Sequence, residues 1–305
     1  MRTRSGRTFR KPWAIILILL GPALLYYGIF IIYPVLSTVF NAFHTIQPLR
    51  GRLVTTFVGL QNFRDLLKDE IFSMSVQHTL IWAVVGPTIE MITALTLALI
   101  VYFRVPFSKI YRVAWFSPLL IQGVIVGLIY RWIFNNEWGL LNTFLEAVGL
   151  GSLATNWLGT PGIVLGCVIF AHYWATFGFS FVLILTGLST VEEELLDSAA
   201  IDGANRWQVS LRILLPLITP VFFTTLMLSF LGKMRSFNIV WVLTKGGPMH
   251  HTETVATYVQ KRAFRWNTLD LGYPSAIALM WFGVVMVIIA LANQWLRRRV
   301  QSVRG

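Results

Sequence analysis

Few side chains in this sequence have the types and spacing required for catalysis, metal binding or disulfide formation, and most of them lie in apolar surroundings. Glu90 and His172 each lie inside a long apolar run, and Cys167 has no second cysteine with which to form a disulfide. His172 has no second metal ligand at helical spacing. His250 and His251 are adjacent, so they point apart on a helix or a strand, and a solvated loop explains them better than a metal site. We therefore predict no metal site.

Patterns that indicate catalysis are also missing from the sequence. It contains no paired carboxylates, no H-E-x-x-H motif and no cluster of a nucleophile with a base. The P-loop pattern of ATPases is absent, because Gly232 and Lys233 are followed by Met234 and lack the upstream glycine. We therefore predict a chain that is not an enzyme and binds no cofactor of its own.

The composition is that of a polytopic membrane protein. Of the 305 residues, 56% are hydrophobic and only 12% are charged. The net charge of +12 does not indicate nucleic-acid binding, because the basic residues are spread over short connectors and tails. Cytoplasmic flanks of membrane helices explain this distribution.

Six apolar runs are long enough to cross a bilayer, since about 20 helical residues span roughly 30 Å. We predict an all-α membrane protein with a six-helix transmembrane domain at 14–296. Basic tails at 1–13 and 297–305, together with the basic connector after the second run, place both termini in the cytoplasm. The predicted spans are 14–33, 79–103, 113–134, 162–188, 214–231 and 275–296.

Polar residues inside these runs are candidates for a solute path. A charge such as that of Glu90 costs roughly 2.5 to 3.5 kcal/mol at mid-membrane, so its side chain should face protein or water. Gln122 lies in the third run, and His172 and Trp174 lie in the fourth. For each of these residues, packing or hydrogen bonding between helices is the alternative to a contact with solute.

A polar stretch at 189–220 separates two of the apolar runs and predicts a helix, a glycine turn and a second helix. Ser189 or Thr190 can cap the first helix, Gly203 suits the left-handed turn that ends it, and Asn205 can cap the second. Small residues around the turn would allow close approach of another backbone. The stretch is either a docking knob or an ordinary loop between membrane helices.

The residues of this stretch resemble the cytoplasmic "EAA" loop of binding-protein-dependent ABC importer permeases. Asp197, Ser198 and Ala199 precede Gly203 at the family spacing, and the closing Ile213, Leu215 and Pro216 also match. Asp197 and Ser198 replace the family's Glu and Ala. The phrases at 57–63, 135–142 and 244–248 and the Asp202-Gly203-Ala204 core are similar to the sugar-importer branch, in particular to maltose-type first permease subunits.

This resemblance implies a type I ABC importer permease in a bacterial inner membrane. The implied partners are a second permease subunit, two ATP-binding subunits that hold ATP and Mg, and an external solute-binding protein. The implied solute is a sugar or related carbohydrate. The loop at 189–213 would couple the chain to the ATPases, and the implied coupling residues are Asp197, Ser198, Ala199, Asp202, Gly203, Ala204 and Arg206.

A secondary transporter or channel that uses Glu90 is the alternative from another class. Such a protein needs charge pairs within the membrane or an inverted repeat. In the sequence only Glu90 suggests a charge at membrane depth, and no internal repeat is evident.

Overall fold

The structure is a computed structural model that describes residues 13–49, 52–103, 107–264 and 270–304. The predicted basic N-terminal tail lies outside the described residues, apart from its last residue, Trp13. Two strands pair in an antiparallel hairpin, β1 (His44–Leu49) and β2 (Arg52–Phe57). The helices are α1 (Trp13–Tyr27), α2 (Tyr33–Ala42), α3 (Gln61–Leu66), α4 (Glu70–Tyr102), α5 (Ser108–Phe116), α6 (Gly123–Ile133), α7 (Leu140–Ala147), α8 (Val164–Leu188), α9 (Glu193–Ile201), α10 (Arg206–Val209), α11 (Leu215–Met234), α12 (Asn238–Leu243), α13 (Val255–Phe264) and α14 (Gly272–Arg304).

The prediction of an all-α membrane protein is confirmed. Short π-helical segments join α1 to α2 and α10 to α11, so each pair forms one continuous stretch. Within the described residues, five helical stretches are long and apolar enough to cross a membrane. They are Ile18–Ala42, Glu70–Tyr102, Val164–Leu188, Arg206–Met234 and Gly272–Gln294.

The third predicted span is not one straight helix. The stretches Ser108–Leu120 and Gly123–Ile133 together are apolar enough to cross a membrane, but they are bent by 99° at the break between them. Pro118 begins the last turn before the break, and Gln122 has an extended backbone conformation. Because proline and glycine weaken a helix locally, their presence in this run explains why the bend falls here.

The core of the bundle is built on α4, α8 and α11. Helix α4 packs along α8 and α11, and α8 also contacts α5 and α6. Helix α6 packs on α12, while α14 packs on α2 and α13. Apolar side chains fill these contacts in three clusters, one of which joins the ends of α4 and α8 to α9.

The hairpin lies in the connection between the first two spans, where no strand was predicted from the sequence. The segment Arg52–Phe57 contains the β-branched and aromatic residues typical of strands. Two side chains fix the hairpin to the helices around it. The amide of Asn62 donates to the carbonyls of Ala42 and His44 at 3.0 and 3.1 Å, and Asp270 accepts from the backbone N–H of Ile46 at 3.0 Å.

A carboxylate lies at the start of α4, outside the span. Asp69 caps the helix by accepting from the backbone N–H groups of Ile71 and Phe72, and it also accepts from the hydroxyls of Tyr258 and Tyr273. Burial alone would raise the pKa of the Asp69 carboxyl, but these hydrogen bonds outweigh it and hold the pKa below its ordinary value. The carboxylate therefore joins α4, α13 and α14 in its ionised form.

Because its pKa is depressed in the folded state, Asp69 stabilises the fold above the ordinary aspartate pKa of about 3.9. This contribution is lost as the pH falls through the folded-state value. We expect Asp69→Asn to lower the thermal midpoint at pH 7 and to flatten the decline of stability below about pH 4. Thermal unfolding in detergent across this pH range measures the effect. Asp65→Asn, at an exposed carboxylate on α3, is the control, and equal pH profiles for the two variants would contradict the assignment.

The backbone of α5 approaches α8 closely at one glycine of α8, Gly178. A Cβ built on Gly178 would lie 2.4 Å from the carbonyl oxygen of Trp115, whereas a Cβ on Gly166 of the same helix would meet nothing within 4 Å. The contact between α5 and α8 therefore requires glycine at position 178.

We expect Gly178→Ala to destabilise the protein by about 1 to 3 kcal/mol, because the added methyl group forces the two helices apart. Gly166→Ala is the matched control, and it should be neutral or stabilise by up to about 1 kcal/mol through helix propensity. Thermal unfolding of the two variants side by side measures the difference. A Gly178→Ala variant as stable as Gly166→Ala would show that the helices do not approach in this way.

Candidate functional site

Glu90 is the centre of a polar cluster inside the bundle. Its side chain on α4 is 2% exposed and faces α8 and α11. Its Oε1 accepts from the Ser180 hydroxyl of α8 at 2.6 Å, and its Oε2 accepts from the Ser229 hydroxyl of α11 at 2.9 Å. Hydrogen bonding between helices, one of the two roles predicted for Glu90, is thus present.

Lys233, near the end of α11, forms a buried ion pair with Glu90. The side chain of Lys233 is only 3% exposed. Its ammonium also donates to the hydroxyls of Ser229 at 3.0 Å and Thr176 at 3.3 Å, so each of its three protons has an acceptor. Two charges buried in this way are tolerated because they neutralise each other and because hydroxyl groups complete their hydrogen bonding.

A cavity opens beside this pair. Its volume is about 190 Å³. Polar and apolar side chains share its wall, and the apolar part includes Phe179, which is 42% exposed. The lining residues are Glu90, Leu119, His172, Thr176, Phe179, Leu228, Ser229, Gly232 and Lys233.

The structure brings two of the four predicted solute-path residues together at this cavity. Glu90 and His172 both line it, and the His172 ring lies perpendicular to the Trp82 ring, with 5.1 Å between the ring centroids. The Nδ1 atom of His172 is buried and has no hydrogen-bond partner in the described part of the chain. Trp174 instead packs against Tyr130, with ring centroids 5.7 Å apart, and Gln122 is exposed at the break between α5 and α6.

The partners of Glu90 were not predicted from the sequence. The fifth span was predicted to end before Lys233, which placed that residue in an outer segment, whereas α11 continues to Met234 and buries Lys233. The sequence did contain a usable signal on α8 and on α11. In each helix, polar residues recur every four positions and so lie on one face of that helix. These residues are His172, Thr176 and Ser180 on α8, and Thr225, Ser229 and Lys233 on α11.

The polar stretch folds as the predicted helix, glycine turn and helix. Gly203 has φ +74°, and the backbone N–H groups of Gly203 and Ala204 donate to the carbonyls of Ala200 and Ala199, which is a Schellman ending for α9. Asn205 and Gln208 form a reciprocal capping box at the start of α10. These endings fix the angle between the two helices.

The predicted cap at the start of α9 was wrong. The hydroxyls of Ser189 and Thr190 donate to the carbonyls of Leu185 and Gly187, so they complete the end of α8. Glu192 occupies the cap position of α9 without a hydrogen bond from its side chain. Two consecutive hydroxyls are equally suited to end one helix or to begin the next, and here the nearer carbonyls of α8 bind them.

Of the residues predicted to couple to ATPases, five are exposed on the surface of this knob and two are not. Ala199 is buried and Ala204 is half-buried, because they pack the knob against the bundle. Arg206 is exposed and its guanidinium lies 5.6 Å from the centre of the Phe103 ring. The remaining coupling candidates are exposed: Asp197, Ser198, Asp202 and Gly203.

No group of three or more His, Cys, Asp or Glu side chains that could hold a metal ion occurs among the residues that the structure describes. The structure is thus a helical membrane bundle with a cavity beside a buried ion pair and a projecting helical knob. Similarity to known proteins identifies its family.

The family described as "Binding-protein-dependent transport system inner membrane component" matches residues 12–302. The trehalose/maltose transport system permease protein MalF of Thermococcus litoralis is 32% identical over 262 residues, covering 85% of each chain. The sulfoquinovosyl glycerol transport system permease protein SmoG of Agrobacterium fabrum is 28% identical over 284 residues, covering 92% of this chain and 90% of the relative. A chain of a bacterial alginate ABC transporter has the same fold, with a TM-score of 0.81 at 22% identity over 94% of both chains.

The chain belongs to this family and is an ABC importer permease, as its EAA-like loop predicted. It is an inner-membrane transport component. The predicted absence of an enzyme activity agrees with this family. The alternative hypothesis of a secondary transporter required a second charge in the membrane, and Lys233 supplies one, but membership of the permease family decides against that alternative.

Breaking the buried pair should be costly. We expect Lys233→Met to destabilise the protein by about 3 kcal/mol or more, because it leaves the carboxylate of Glu90 buried without its counter-charge. Lys245→Met, at an exposed lysine, is the matched control and should change stability little. Thermal unfolding in detergent compares the two. Equal midpoints would show that Lys233 does not neutralise Glu90 in the folded protein.

Proposed function

We propose that this chain forms half of the solute path of an ATP-driven importer of a sugar or related carbohydrate. Its partners in this proposal are a second permease subunit, two ATP-binding subunits that hold ATP and Mg, and an external solute-binding protein. Relatives named for trehalose/maltose and for sulfoquinovosyl glycerol transport support a carbohydrate solute. The proposal places both termini and the knob in the cytoplasm, and it involves no nucleic acid.

The exposed surface of the knob is the observation that carries the coupling role. Ile201 is 87% exposed and Trp207 is 71% exposed, and the same helix, turn and helix carries the exposed carboxylates of Asp197 and Asp202. Large apolar side chains next to acidic ones are suited to a partner groove that has an apolar pocket and a basic rim. An ATP-binding subunit that offers such a groove would hold the knob at its most exposed end.

Continuous packing would carry a movement of the knob into the membrane. Ala199 of α9 and Leu214 after α10 belong to one apolar cluster with Met91 of α4 and Leu188 of α8. Met91 follows Glu90 directly, so this cluster extends from the knob to the level of the buried ion pair. In the proposed cycle, closure of the ATP-binding subunits pushes the knob, and the membrane helices rock between outward-open and inward-open states.

The solute path in this proposal passes the cavity beside Glu90 and His172. Hydroxyl and imidazole groups at the wall offer hydrogen bonds, and Phe179 offers an aromatic face to a sugar ring. Gln122, at the break between α5 and α6, is the place where the path would widen or close. Trp174 packs against Tyr130 and is not among the lining residues of this cavity.

The coupling role is tested by Gly203→Asp or by deletion of residues 197–204. We expect either change to leave the chain inserted in the membrane and to abolish co-purification of the ATP-binding subunit and ATP-driven uptake, because the turn needs a left-handed glycine. Gly149→Asp is a matched control, since Gly149 also has positive φ and open space around it but follows α7, far from the knob in the chain. Normal uptake by the Gly203→Asp chain would overturn the proposal.

A further inference from the structure

We propose that the solute path is selective for uncharged, hydroxyl-rich solutes and against acidic sugars, because Glu90 and Lys233 neutralise each other at its wall. This inference rests on the proposed function, because it requires the cavity beside the pair to lie on the solute path. It goes further by naming the charge class of the solute, which the coupling loop does not determine.

The charges at the cavity wall cancel each other. Glu90 supplies one carboxylate and Lys233 one ammonium, and the two are bound directly to each other. The three protons of the ammonium are donated to Glu90, Ser229 and Thr176. Both oxygens of the carboxylate already accept hydrogen bonds, from Ser180 on one side and from Ser229 and Lys233 on the other. No charge is left over to bind an ionised group of a solute.

The other groups at the wall suit a neutral sugar. Thr176 and Ser229 carry hydroxyls, His172 carries an imidazole, and Phe179 presents an aromatic ring. A sugar ring combines hydroxyls at its rim with apolar C–H faces, so it can use both kinds of group at once. Leu119 and Leu228 complete the apolar part of the wall.

An acidic sugar meets a penalty at the same wall. To bind its carboxylate, Lys233 would have to leave Glu90, which would then be buried without a counter-charge. If the pair stays intact, the solute carboxylate loses water and gains no cation. We expect this penalty to weaken binding of a uronate by about tenfold or more relative to the matched neutral sugar, where tenfold corresponds to about 1.4 kcal/mol.

The test measures sugar binding to the assembled transporter in detergent, in the absence of its solute-binding protein. The probes are the matched pairs glucose and glucuronate, galactose and galacturonate, and mannose and mannuronate. Ligand-observed NMR with equilibrium dialysis gives the affinity ratio for each pair. For the wild-type transporter we expect at least one neutral sugar to bind at least tenfold more tightly than its uronate.

Two variants test whether the cancellation of these two charges sets the preference. Glu90→Gln frees the ammonium of Lys233 and should shift the ratio toward the uronate by about tenfold. The double variant Glu90→Leu with Lys233→Met removes both charges, so its ratio should stay in favour of the neutral sugar. This double variant also serves if Glu90→Gln does not assemble, because a ratio that turns toward the uronate at a wall without charges would overturn the inference.

The outcomes separate this inference from the proposed function. A wild-type transporter that prefers a uronate overturns the charge selectivity but leaves the sugar path intact. An assembled Glu90→Gln variant with an unchanged ratio also overturns the selectivity. A wild-type transporter that binds no probe of either class overturns the placement of the sugar path at this cavity. The inferred selectivity is then also wrong.

Discussion

The buried pair of Glu90 and Lys233 is the interaction on which the rest of the bundle depends. A lone charge at this depth is expensive, so each of the two residues requires the other in order to be buried. Hydroxyls from Ser180 and Thr176 of α8 and from Ser229 of α11 complete the hydrogen bonding. The pair joins α4 directly to α11, and the hydroxyl groups of Ser180 and Thr176 connect both of these helices to α8. Three helices from distant parts of the sequence are therefore held in fixed positions relative to one another.

This constraint connects the cavity to the knob. The apolar cluster that contains Met91, next to Glu90, continues through α8 to Ala199 and Leu214 at the knob. The Schellman ending at Gly203 and the capping box at Asn205 make the knob rigid, so a force on it moves the packed helices rather than bending the loop. The proposed function needs this combination, because in it the energy source is a separate subunit that acts at the membrane surface.

Features that depend on local sequence were predictable, and those that depend on distant partners were not. The six apolar runs predicted helices, and Gly203 and Asn205 occupy the expected ends, because hydropathy and capping act within a few residues. The β1–β2 hairpin was missed, since Asn62 and Asp270 attach it from other parts of the chain. Lys233 was missed for a similar reason, because a lysine near the end of an apolar run suggests the end of a span until its distant partner is known.

A double-mutant cycle on the two charged residues tests the central claim most directly. The free energy of unfolding is measured for the wild type, Glu90→Gln, Lys233→Met and the double variant. If the pair holds the bundle together, the effects of the single changes are not additive, and the double variant recovers stability relative to Lys233→Met, with a coupling of about 0.5 to 3 kcal/mol. Additive effects, with a coupling near zero, would contradict the account.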